Sequence, residues 1–219
     1  MRGVYERSCY LVKELIEAPR KRRSDGEASR KAILQEAARL ATVEGINGLS
    51  IGRLAEAVGM SKSGLFAHFG SKEELQLATI ETAHALFHEL VIEPALVATT
   101  ALGRLRMLIE LFLRHVENKV YPGGCFYVSV GVELGAQKSG PVRDEAVALS
   151  AGWMRLVVDT IREAQAEGSI DAAEDAEQLA FDLTGYLLLG NTQFVATQDP
   201  AAIDRARHAV EHRLAAATT

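Results

Sequence analysis

Apolar residues recur along the chain at three- and four-residue intervals almost throughout, and no stretch shows a convincing two-residue alternation. Ile33, Ala37, Leu40 and Ala41 make the first stripe, behind a Ser24-x-x-Glu27 capping signal and ahead of Gly45. Ile51, Leu54, Ala55 and Val58 make the second, with Ser50 as its cap, and Gly59 closes it after about two turns. Ser61 heads a third short segment with Leu65 and Phe69 on one face and Lys62, Ser63, Phe66 and Ala67 towards the other; Gly70 ends it. Ser71 with Glu74 then opens a long fourth helix.

The pattern continues to the end. Leu102, Leu105, Ile109, Phe112 and Val116 form one stripe, and Val142, Ala146, Leu149, Trp153, Leu156 and Ile161 another, placed after Pro141, a good first-turn residue. Asp171 with Glu174 is expected to cap a helix through Leu179, Leu183 and Leu187, and Asp199-Pro200 to start a last one through Ile203, Ala206, Val210 and Leu214. "YPGGC" and "KSGP" punctuate the chain between stripes. The fold predicted is all-α with about nine helices.

Composition narrows the class. With 219 residues, 48% of them hydrophobic, the chain can bury a sizeable core. Cys9 and Cys125 make neither a disulfide framework nor a C-x-x-C pair, which fits a reducing cytoplasm. The longest apolar run carries Asp182, Asn191 and Gln193, and Lys13 and Glu14 interrupt the first one, so neither membrane insertion nor a secretory signal is expected. The net charge of −5 conceals a split: Arg20 to Lys72 holds ten Lys or Arg against five Asp or Glu, whereas residues 73–219 hold eleven against twenty-one. A basic segment on an acidic remainder points to a polyanion bound at one end.

Two short helices joined by a tight turn, supported by a preceding helix, form the layout of a helix-turn-helix. In that unit the second short helix enters the major groove, so Ser61, Lys62 and Ser63 lie nearest base edges and phosphates. Ser50 and Lys72 stand at helix N-termini, where free N–H groups and the dipole favour phosphate. Arg53, on the first of the two short helices, joins these as a candidate for DNA binding.

The run "LSIGRLAEAVGMSKSGLFAHFGSKEEL" resembles the DNA-binding region of the TetR family of bacterial transcriptional regulators, over about Ala28 to Leu75. His68 and Lys72 match the family's aromatic-x-His/Tyr-Phe-x-Ser-Lys-Glu-x-Leu pattern. Phe66 departs from it: tyrosine is common there, and phenylalanine offers only apolar contact, for instance with a thymine methyl. Residues 1–27, ahead of the matched run, are expected to be a flexible extension. The resemblance implies that 28–75 form a three-helix DNA-binding domain and 76–219 a helical domain that binds an effector and forms a homodimer. The last two helices, apolar on more than one face around Gly185 to Phe194, are the expected dimer contact, which would set two recognition helices about one DNA turn apart.

Phe87, Met107, Leu111, Phe112, His115, Cys125, Phe126, Trp153 and Met154 are candidates to line a small-molecule pocket between helices four and seven, with His115 and Gln137 as hydrogen-bonding anchors. For each of them the competing reading is ordinary core. His84 and His88 share a helical face, but H-E-x-x-H would need glutamate where Ala85 stands, and no metal or other cofactor is expected. His115 to Glu117 with Cys125 matches only part of a deaminase signature, and neither G-x-S-x-G, a P-loop nor G-x-G-x-x-G occurs. The expected function is a repressor that releases a double-stranded DNA operator when a small apolar effector binds. The alternatives are a constitutive DNA-binding or protein-docking module and, without residues to name, a helical enzyme.

Overall fold

The computed structural model describes residues 26–218; the Ser24 cap, the Arg20 to Arg23 basic run and residues 1–25 of the extension lie outside them. The described residues contain helices and no strand. In order they are α1 (26–44), α2 (Ile51–Val58), α3 (Lys62–Phe69), α4 (Lys72–Phe87), a π turn (His88–Ile92), the short α5 (Glu93–Ala95), α6 (Ala101–Glu117), α7 (Phe126–Gly135), α8 (Pro141–Ala166), α9 (Ala176–Thr197) and α10 (Ala201–Ala217).

Capping residues set most of these boundaries. The hydroxyls of Ser50, Ser61 and Ser71 accept hydrogen bonds from the N–H groups of Arg53, Gly64 and Glu74 at 3.1–3.2 Å, each satisfying a first-turn donor. Pro141 is the first residue of α8. The expected Asp171–Glu174 cap is corrected: Asp175 caps α9 through Gln178 N at 3.0 Å. Asp171 instead closes a local turn onto Ala173 N, and the Glu174 carboxylate pairs with Arg213 at 2.6 Å.

Three apolar clusters follow one another along α4. Leu75 and Ala78 join Ile33, Leu40, Leu54, Leu65 and Phe69 in the helix-turn-helix core. One turn on, Ile80 and Ala83 join Ala38, Ala41 and Ile46 of the first helix and its turn to Tyr121, Phe126, Val130 and Leu134 around α7. Phe87 at the far end belongs to the large cluster formed with α6, α8, α9 and α10. Helical spacing thus lets one rod touch all three cores. None of the described helices is long and apolar enough to cross a membrane.

Candidate DNA-reading surface and effector cavity

α3 owes its orientation to two fully inward residues, Leu65 and Phe69, and the Arg30 guanidinium lies 5.1 Å from the Phe69 ring. That anchoring turns Lys62, Ser63 and Phe66 outward. Phe66 is 54% exposed, which leaves its ring free for an apolar groove contact. Ser61 is also exposed, its Oγ 3.3 Å from that of Ser63, while His68 is half-buried beside Phe69. Ser50 accepts from its own helix, yet its O–H remains available as a donor.

Two of the candidate cations already have partners. Arg53 forms an ion pair with Glu44 at 2.6 Å, and its guanidinium holds that carboxyl below the usual range. Lys72 Nζ donates to the carbonyl of Asn47 at 2.6 Å, tying the start of α4 to the turn between α1 and α2.

The same turn is clasped from the other side by Glu133, near the end of α7. Its carboxylate accepts from Ile46 N at 2.6 Å and Asn47 N at 2.8 Å, while Gln76 donates to Ile46 O at 2.7 Å. Gly45 makes room for it: its φ of +80° puts the residue in the left-handed region, and a Cβ there would lie 2.9 Å from a Glu133 oxygen. Gly123 forms a second seam, since any Cβ on it would collide with the Thr42 carbonyl. Its N–H donates to Thr42 Oγ1 at 3.2 Å, and next along, Cys125 N donates to Asn191 Oδ1 at 2.8 Å.

On the far side of α7 lies a cavity of about 560 Å³, walled by α4, α6, α7, α8 and α9. Five of the nine sequence candidates line it: Phe87, Phe112, Cys125, Trp153 and Met154. The other four do not. Leu111 packs on the main core, Phe126 turns into the cluster beneath the helix-turn-helix, and Met107 is half-buried away from the cavity. His115 is buried between the rings of Phe87 and Tyr121, at 5.6 and 5.9 Å, and burial lowers its pKa to about 4, so it is neutral at pH 7. Nor does Gln137 reach the cavity; it is exposed, with its amide 3.3 Å from the Glu133 carbonyl.

The sequence reading missed the contributions of α7 and α9: Tyr127, Val128, Gly131 and Val132 from the first, and Phe181, Thr184, Gly185, Leu187, Leu188 and Thr192 from the second, with Ser150 from α8. A signal was present. Phe181, Gly185, Leu188 and Thr192 recur at helical spacing on the side of α9 opposite Leu179 and Leu183. His84, set aside as a metal ligand, lies 2.6 Å from the Tyr127 hydroxyl through Nδ1, and His88 pairs with Glu93. Among the described residues no group of three His, Cys, Asp or Glu is placed to hold a metal ion.

A helix-turn-helix with an outward recognition helix, joined by a shared rod to an all-helical body around an apolar cavity, defines a DNA-binding transcriptional regulator. The chain belongs to the TetR family. Residues 33–79 match the model for bacterial regulatory proteins of the tetR family, and residues 101–210 match that for a tetracyclin repressor-like C-terminal domain. The transcriptional regulator AcuR of Cereibacter sphaeroides is 24% identical over 157 residues, 71% of each chain. A TetR transcriptional regulator from Chloroflexus aurantiacus superposes with a TM-score of 0.77 at 22% identity, covering 88% of this chain and 95% of that one. AibR, solved in complex with isovaleryl coenzyme A and operator DNA, superposes with a TM-score of 0.66 at 23% identity over 86% and 97% of the two chains. The relatives matched are transcriptional regulators rather than enzymes.

Proposed function

We propose that the protein is a ligand-responsive repressor acting in the cytoplasm: a homodimer occupies a near-palindromic operator and leaves it when a small apolar molecule fills the cavity. The observation that carries this reading is that α4 holds a residue of each site's core, Leu75 beneath the recognition helix and Phe87 in the cavity wall. A ligand that fits only one placement of α4 would bias the spacing of the recognition helices, provided its affinity differs between the two states. α7 offers a second route, since one part of it lines the cavity while Glu133 grips the turn between α1 and α2.

In this reading residues 28–75 bind DNA, with Ser50, Arg53, Ser61, Lys62, Ser63, Phe66, His68 and Lys72 at the duplex, and residues 76–219 bind effector and partner. The dimer contact falls on α9 and α10. Phe181 and Leu189 on α9 are 67% and 57% exposed, an apolar face that a second copy would cover.

The test is fluorescence anisotropy on the chain's own upstream DNA and on a scrambled fragment, over a salt series, with wild type and Lys62→Ala. Preferential binding to the upstream fragment, with a steep salt slope that falls by about one in the variant, supports the reading. Equal, weak binding to both fragments, unchanged by the substitution, counts against it.

A further inference from the structure

The polar groups lining the cavity are, with one strong exception, already engaged. The Tyr127 hydroxyl, raised in pKa by burial, is hydrogen-bonded to His84 Nδ1 at 2.6 Å, and burial lowers the pKa of that imidazole. The hydroxyls of Ser150 and Thr192 donate to the carbonyls of Ala146 and Leu188, at 2.9 and 2.8 Å. Thr184 differs: its Oγ1 is buried and has no partner. Threonines inside helices commonly turn the hydroxyl onto the carbonyl four residues back, as Thr79, Thr82 and Thr160 do in this chain. An unsatisfied buried hydroxyl is costly, and this one belongs to a residue that lines the cavity.

Charge is the second constraint. No Asp, Glu, Lys, Arg or His is among the residues lining the cavity. A carboxylate, phosphate or ammonium group placed inside would lose its hydration without gaining a counter-ion. Aromatic walls dominate instead, with Trp153 at ring-centroid distances of 5.6 Å from Phe87 and 6.0 Å from Phe112.

Resting on the reading of this cavity as the effector site, we propose that it takes an uncharged, largely hydrocarbon molecule bearing one hydroxyl or carbonyl oxygen, and that the Thr184 hydroxyl recognises that oxygen. Thr184 thereby sets specificity, while the aromatic wall supplies most of the affinity.

Trp153 is the only tryptophan in the chain, so its emission, excited at 295 nm where a phenyl ring does not absorb, reports on the cavity. Three probes share one skeleton: butylbenzene, 4-phenylbutan-1-ol and 4-phenylbutanoate. Each is titrated into wild type and Thr184→Val, a near-isosteric change whose folding is checked by retained butylbenzene binding. The expected result is that the substitution weakens the alcohol about tenfold and leaves butylbenzene within about twofold, with the carboxylate at least tenfold weaker than the alcohol in wild type. If alcohol and hydrocarbon shift together in Thr184→Val, or the carboxylate binds as tightly as the alcohol, the assignment of ligand class is overturned. If no probe at millimolar concentration changes Trp153 emission in wild type, the cavity is not a ligand site, and the effector reading falls together with this one.

Discussion

Replacing Glu133 should loosen the attachment of the DNA-binding helices to the rest of the protein. The wild-type carboxylate accepts two backbone N–H groups, from Ile46 and Asn47, on the turn ahead of α2. Hydrogen bonds to an ionised group contribute roughly 1.5–3 kcal/mol each, and less where water can replace them, as at the exposed Asn47. Ile46 is fully buried, so its amide would be left without a partner in Glu133→Ala. Discounting the exposed bond, the loss is about 2 kcal/mol, which corresponds to a roughly thirtyfold rise in the local opening constant. Glu133→Gln keeps one acceptor oxygen and should lose about half as much. Amide hydrogen exchange over residues 45–48 measures the opening directly, and urea unfolding gives the global change. Unaltered exchange of Ile46 and Asn47 in Glu133→Ala, with stability within about 0.3 kcal/mol of wild type, would refute the clasp.

Gly123→Ala drives a methyl group into the Thr42 carbonyl; the expected cost is about 3 kcal/mol, or roughly 6–12 °C in melting temperature by calorimetry, whereas Gly140→Ala, where a Cβ meets nothing within 4 Å, serves as the neutral control. The buried His115 makes stability depend on pH. Its folded pKa of about 4 lies below the unfolded value near 6.5, so the unfolded chain takes up its proton first and stability falls as pH drops from about 6.5 to 4, by about 3 kcal/mol in all. In His115→Phe that part of the slope should vanish in urea titrations across this range, and an unchanged slope would contradict the burial argument.

The DNA-reading half was legible because its signals are local. Ser50, Ser61 and Ser71 each cap a helix through an N–H three residues on, and Gly45, Gly59 and Gly70 end the helices before them, so a single pass along the chain locates the boundaries from the end of α1 to the start of α4. The cavity was only half legible because helical stripes do not say which neighbour they face. Phe112 and Leu111 are adjacent on α6, yet one lines the cavity and the other packs on the main core. Phe126 and Tyr127 divide the same way on α7. Likewise the roles of Glu133 and Thr184 depend on partners, or their absence, set by distant segments: Glu133 meets Ile46 across 87 residues of chain. No spacing rule carries that information.

The account stands or falls on the coupling between cavity and DNA. Operator affinity should be measured by anisotropy without ligand and at a saturating concentration of the probe that quenches Trp153 most tightly, and that probe's affinity should then be measured with and without operator. The account predicts that the probe weakens operator binding by at least about tenfold and that the operator weakens probe binding by the same factor, as linkage requires. Operator affinity unchanged while Trp153 reports a filled cavity would contradict it.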